Sequence, residues 1–274
     1  VEVLEHVNNR VVGRVFVEHG IAFVVPENRR INQDILVPPD DKKSTIKTKA
    51  GQVVVVEIIE QPSKHSQPIG RIVEVLGNYA DPGMEIEIAL RKHDLPFEFP
   101  KAVAEETKLL PEKVKKSEWA GREDLRDLPL VTIDGETARD FDDAVWAEKQ
   151  GKGWRLVVAI ADVSHYVRPG MALDKEAMSR GNSVYFPRRV IPMLPEKLSN
   201  GLCSLNPELD RLAMVCDMIV GPTGAIKQYR FYPAVFHSRA RLTYNQVWSW
   251  LSGEAKAESE IHQSLMPHIE ALYS

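Results

Sequence analysis

Leu128-Pro129-Leu130-Val131-Thr132-Ile133-Asp134-Gly135-Glu136-Thr137-Ala138-Arg139-Asp140-Phe141-Asp142-Asp143 is an apolar run that ends in four closely spaced aspartates. The run up to Ile133 predicts a β-strand that delivers Asp134, with Asp140, Asp142 and Asp143 on the loop behind it. A second apolar run begins at Ala144, so the acids are held between rigid elements. Carboxylates this close repel one another unless protons or a cation stand between them. Magnesium suits such a set, because it prefers carboxylate oxygen and water to nitrogen or sulfur. A calcium-binding EF-hand is excluded: counted from Asp134, the sixth residue is Arg139 rather than Gly and the twelfth is Val145 rather than Glu. A merely solvated acidic loop is the competing reading. The flanking strands favour a metal site of the kind that hydrolyses phosphate esters with two cations.

Upstream, short β-rich runs alternate with turn signals. Val11 to Val17, Ile21 to Val25, Asp34 to Val37, Gln52 to Glu60 and Gly70 to Gly77 predict five strands. Glu18-His19-Gly20 reads as a hairpin loop, and Pro38-Pro39 closes the third run ahead of a longer loop to Gly51. Five such strands suit a small closed barrel of the oligonucleotide-binding type. Phe16 and Phe23 fall on adjacent runs, where they are either a stacking surface for bases or barrel core. Residues 94–127 are proline-punctuated and charge-rich, which predicts a connecting segment with short helices. Beyond it, strands are expected at 144–147, 154–161, 211–220 and 225–237, and helices at 173–180 and 195–202. A capped helix is expected from Thr243 through Leu251.

The 274 residues are enough for two cores. A hydrophobic content of 43% with 27% charged residues is ordinary for a globular chain, and no apolar run approaches membrane-spanning length. No secretory signal opens the sequence, and Val1 is not an initiating residue, which points to a fragment. Cys203 and Cys216 lack any CxxC spacing, so they predict two buried free thiols in a reducing compartment. The net charge of −4 is unusual for a nucleic-acid binder, but a carboxylate site subtracts from it. Local basic stretches remain at Lys42, Lys43, Lys47 and Lys49, at Arg188-Arg189, and at Arg239 with Arg241.

Thr132 to Ala144 resembles the signature of the ribonuclease II superfamily catalytic domain. Its companions follow in order: Val158-Ala159-Ile160-Ala161-Asp162-Val163-Ser164, Gly181-Asn182-Ser183-Val184-Tyr185-Phe186-Pro187, Ile191-Pro192-Met193-Leu194-Pro195, and Leu198-Ser199-Asn200-Gly201-Leu202-Cys203-Ser204-Leu205-Asn206. The upstream barrel resembles a cold-shock domain, without the dense aromatic face of free-standing ones. The expected fold is α+β. Residues 1–93 form the five-stranded barrel, 94–123 the connecting segment, and 124–274 the N-terminal, incomplete part of a mixed α/β catalytic domain.

The resemblance implies a processive exoribonuclease that hydrolyses single-stranded RNA from its 3′ end to nucleoside 5′-monophosphates. It implies Mg²⁺, two ions in the active complex, on Asp134, Asp140, Asp142 and Asp143, with Asp142 the one on which chemistry depends most. RNA-binding roles go to Tyr185, which matches a base-stacking tyrosine, to Tyr244, which matches a tyrosine near the ribose, and to Phe16, Phe23 and Arg14 on the barrel. On residue type alone, Tyr185 reads as a core tyrosine between apolar neighbours, Tyr244 equally as a packing residue, and Asp162 as structural. A cytoplasmic monomer with no membrane association is the accompanying expectation. A non-catalytic RNA-binding regulator of the same architecture is the alternative, and intact aspartates speak against it.

Overall fold

The computed structural model describes residues 9–38, 46–63 and 65–274. Lys42, Lys43 and the rest of residues 39–45 in the loop from Pro38 to Gly51 lie outside the described residues. The chain divides into two compact units. The first runs from Val1 to Glu98 with Phe186–Arg189, and the second from Phe99 to Tyr185 with Val190–Ser274.

In the first unit, β1 (Arg10–Glu18), β2 (Ile21–Pro26), β3 (Ile35–Val37), β4 (Gln52–Glu60) and β5 (Ile69–Asn78) close into a barrel in the order β1-β2-β3-β5-β4. All five expected strands form. The β1–β2 turn uses positive φ at His19 (51°) and Gly20 (80°), the backbone that a two-residue hairpin needs to follow strand twist. Alternation sends Val11, Val15, Val24, Ile35, Val54, Val56 and Ile72 inward. Gly13 lets β1 and β2 close tightly, since a Cβ there would sit 2.5 Å from Val24 Cγ1 and from the Val25 carbonyl oxygen. Helix α1 (Met84–Lys92) was not expected from sequence; its Met84 covers Val12, Val53 and Val55 on the outside of the barrel.

The second unit begins with α2 (Lys101–Leu109) and a 3₁₀ turn at Lys116–Trp119. Its strands are β6 (Glu123–Asp124), β7 (Val131–Asp134), β8 (Asp143–Gln150) and β9 (Gly153–Ala161). After α3 (Val163–Tyr166) and α4 (Ala172–Arg180) comes a small hairpin, β10 (Val184–Phe186) with β11 (Arg189–Ile191). A π-type helical turn at Lys197–Leu202 takes the place of the short helix expected at 195–202. Then follow β12 (Arg211–Val220), β13 (Ile226–Phe236), β14 (Ala240–Thr243), α5 (Tyr244–Leu251) and α6 (Glu260–Tyr273). Seven strands make one sheet in the order β14-β7-β8-β9-β12-β13-β6.

Period-two alternation feeds cores on both faces of that sheet. Ala144 and Trp146 join Val157, Ala159, Val215 and Phe236 beneath Val103 of α2 and Leu173 of α4. Val131, Val145 and Leu242 face the other way, against Trp250, Leu265 and Ile269 of α5 and α6. Glu106 of α2 accepts from Ala172 N and Leu173 N at 2.9 Å, which caps an α4 start that has no side-chain cap of its own. One expectation fails on the thiols: Cys203 is buried, but Cys216 is only half-buried, because its stretch of β12 lies beside the exposed Phe231.

Candidate active site

Strand β7 ends in Asp134 and β8 starts with Asp143, so the acids occupy both edges of one strand-to-strand connection. This corrects one sequence expectation, because Asp143 is the first residue of a strand rather than a loop residue. The antiparallel register, with Val131 opposite Val145, draws the two edges together. Asp143 answers to that crowding. The protein mass around it, followed by the like charges of Asp142 and Asp134, holds its carboxyl above the ordinary range.

The remaining acids have local partners. Asp134 Oδ1 accepts from Gly135 N at 2.6 Å. Asp140 Oδ2 accepts from the Tyr185 hydroxyl at 2.5 Å. That bond, with some burial, pushes the Tyr185 phenol up to about 12. Tyr185 belongs to the β10 hairpin and is 62% exposed, which disposes of the packed-core alternative. Asp142 O accepts from Ala161 N at 2.8 Å, which ties the loop to the end of β9.

Asp162, the next residue, is different in kind. It is buried, and burial would raise its carboxyl, but hydrogen bonds from Arg122 at 2.6 Å and Ser164 at 2.7 Å prevail and hold it low. It braces the start of α3.

Tyr244 opens α5, and Thr243 caps that helix by accepting from Gln246 N at 3.2 Å. Strand β14 runs parallel to β7 with Thr243 beside Asp134, so Tyr244 emerges at the same end of the sheet as the acids. Its ring is 62% exposed, too open for a residue whose task is packing.

Phe16 and Phe23 are cross-strand partners on the barrel. Their rings stack with centroids 5.8 Å apart, 20° from parallel, and neither belongs to the inward cluster. With Phe16 37% exposed, this pair lies on the barrel's outer surface. Arg14 lies 5.5 Å from the Phe16 ring centroid and 4.9 Å from that of Tyr79, an exposed aromatic that sequence reasoning missed. Together they make a cation and aromatic surface able to stack on bases.

Donor chemistry at the acid cluster fits a hard divalent cation, since every group offered is a carboxylate oxygen. Among the described residues, no three acidic, His or Cys side chains are gathered into a ready cage as they stand. Two further residues touch the acid loop and escaped the sequence reading. Arg241 donates to the carbonyls of Glu136 at 3.2 Å and Ala138 at 3.1 Å, and the buried Ser204 bridges Arg139 O and Phe141 N. The signal for Ser204 lay in the stretch 198–206, whose resemblance gives the serine no role. Arg241 gave none beyond a basic pair with Arg239.

Family comparisons bear on both units. Residues 122–273 match the RNB domain model and residues 23–100 the cold shock domain model. The chain is 54% identical to ribonuclease R of Vibrio parahaemolyticus over its whole length, covering 32% of that protein. It thus spans about a third of the length of such curated relatives. Mycoplasma genitalium RNase R, solved in complex with double-stranded RNA, superposes with a TM-score of 0.90 at 31% identity, over all of this chain and 47% of that one. Yeast Ssd1, a pseudonuclease, shares the fold at a TM-score of 0.71 and 18% identity, over 99% of this chain and 34% of its own.

Proposed function

The chain belongs to the RNB-domain family, and from that premise we propose that the protein is a processive hydrolytic exoribonuclease, shortening single-stranded RNA from its 3′ end to nucleoside 5′-monophosphates with magnesium. The observation that carries the reading is the placing of Asp134 at the end of β7 and Asp143 at the start of β8, with Asp140 and Asp142 on the connection between them. Asp134, Asp140, Asp142 and Asp143 would hold the cations. Bound there, magnesium supplies an activated water and neutralises charge on the leaving oxygen. Asp142 is the residue whose loss should matter most to the reaction.

Tyr185 would stack on a base near the 3′ end while its hydroxyl steadies Asp140. Tyr244 would stand near the last ribose, where a polar group can sense the 2′-hydroxyl. Arg14, Phe16 and Phe23 would carry single-stranded RNA on the barrel, stacking on bases without reading sequence. A monomer in the cytoplasm is the matching setting, and free thiols at Cys203 and Cys216 suit a reducing compartment. No helix among the described residues is long and apolar enough to cross a membrane.

A fold shared with a pseudonuclease makes a non-catalytic RNA binder the competing reading. The retention of all four aspartates argues against it, because a site with no cation to hold gains nothing from placing like charges together. The deciding experiment incubates the full-length protein with 3′- and 5′-labelled RNA, with and without magnesium, and resolves the products. Mononucleotides released from the 3′ end only when magnesium is present support the reading. Intact RNA, or cleavage inside the strand, overturns it.

A further inference from the structure

The loop from Gly135 to Asp142 has almost no regular structure, so its backbone groups must find partners one at a time. Within the loop, Ala138 N donates to Gly135 O at 3.2 Å. Besides the bonds from Ala161 N to Asp142 O and from the Tyr185 hydroxyl to Asp140, its other anchors come from two places far away in sequence. From β14, the Arg241 guanidinium donates to Glu136 O and Ala138 O and lies 4.5 Å from the centroid of the Phe141 ring, itself buried. From the segment behind the π-type turn, the Ser204 hydroxyl donates to Arg139 O at 2.9 Å and accepts from Phe141 N at 3.3 Å. Leu205 N adds a bond to Phe141 O at 2.7 Å.

The order of these anchors matters. Glu136 and Ala138 lie between Asp134 and Asp140; Arg139 precedes Asp140; Phe141 separates Asp140 from Asp142. No acid of the loop is more than two residues from an anchored backbone atom. Arg241 brings more than two bonds. A planar fork can serve two carbonyls and a ring face together, which a lysine ammonium does not. Asn245 extends the same hold by donating to Glu136 Oε1 at 3.0 Å. Ser204 is wholly buried, so its hydroxyl has no water to bond instead.

We propose that Arg241 and Ser204 are positioning residues that grip the aspartate loop from opposite chain segments and set the spacing of Asp134, Asp140, Asp142 and Asp143 for a divalent cation. The inference rests on reading those aspartates as a cation site. Neither residue needs to touch RNA or the reacting atoms. Supporting residues of this kind typically change metal affinity or activity by about 10- to 100-fold when removed.

The test uses the full-length protein with Arg241→Met, Arg241→Lys and Ser204→Ala, and Asp142→Asn as the reference. Mn²⁺ affinity is measured without RNA, hydrogen exchange of residues 135–143 without any cation, and kcat and KM on single-stranded RNA. Arg241→Met and Ser204→Ala should each weaken Mn²⁺ binding and lower kcat by roughly 10- to 100-fold while KM changes little. They should also speed exchange in 135–143, and Arg241→Lys should recover part of each loss. Wild-type Mn²⁺ affinity and exchange in both variants, with Asp142→Asn inactive, overturns the inference and leaves the proposed function standing. A lowered melting temperature with unchanged Mn²⁺ affinity below it overturns the inference too, since that is a purely structural role. Wild-type Mn²⁺ binding and turnover in Asp142→Asn sinks the cation-site reading and this inference with it.

Discussion

Tyr185 and Asp140 form a hydrogen bond whose strength can be measured apart from catalysis. The phenol donates to a carboxylate at 2.5 Å, and bonds to charged groups are worth about 1.5–3 kcal/mol where water is excluded. Tyr185 is 62% exposed, so solvent competes and screens, and about 0.5–1 kcal/mol is the magnitude to expect. The assay is a double-mutant cycle on stability in EDTA, with Tyr185→Phe, Asp140→Ala and both together. Asp140→Ala also relieves repulsion within the cluster, and the cycle subtracts that effect, leaving a coupling of about 0.5–1 kcal/mol. The bond needs the phenol proton. Because the folded-state value is raised to about 12 from an ordinary 10.0, the contribution is fully present below pH 10.0 and is lost as pH rises through about 12. Tyr185→Phe keeps the ring, so it should leave the length of the final RNA product unchanged. Tyr185→Ala should also lose about 1–3 kcal/mol of base stacking and shift that length. Additive single effects, within about 0.3 kcal/mol, refute the bond.

Other expectations follow from the same geometry. Asp143 has a folded-state carboxyl raised above its ordinary 3.8, so the native protein binds the extra proton and stability falls as pH climbs through that window. Asp143→Asn should therefore raise the melting temperature in EDTA at pH 7, with the advantage gone below the ordinary value; equal melting at both pH values counts against the crowding. Phe16→Ala and Phe23→Ala should each weaken single-stranded RNA binding by about 1–3 kcal/mol. If they instead mainly lower the barrel's melting temperature, the rings are packing residues. Tyr244→Ala should narrow the ratio of cleavage rates on matched RNA and DNA 3′ ends, with affinity and its salt dependence little changed; an unaltered ratio in a folded variant removes Tyr244 from sugar selection.

The barrel was legible because each of its strands is a Val- and Ile-rich run between strong turn signals, and those runs form five strands within a residue or two of their expected ends. What stayed hidden has specific causes. Helix α1 starts after Gly83 at φ 83° with no side-chain cap, so nothing announces it. Pro267 stands in the middle of α6 and reads as a break, although Ser259 caps the helix through His262 N at 3.1 Å and Leu265 and Ile269 share a face. The β10 and β11 strands have three residues each, too few for an alternation to emerge.

At the site, legibility follows from discomfort. Four aspartates in one connection cost free energy as they stand, and a sequence that keeps such a cost shows its chemistry in one dimension. Arg241 and Ser204 break no local rule. A serine within a mixed stretch and an arginine on a short strand are ordinary, and their worth arises only when the chain brings Arg241 back across 105 residues to Glu136 and Ser204 across 65 to Arg139. Groups that do chemistry are therefore readable by the strain they impose, while groups that hold them are readable only by the strain they remove. The latter exists in three dimensions alone. The same division explains Asp162: an acid next to Ala161, whose N–H bonds to Asp142 O, it is paired with Arg122 and Ser164, and that satisfaction separates a brace from a ligand.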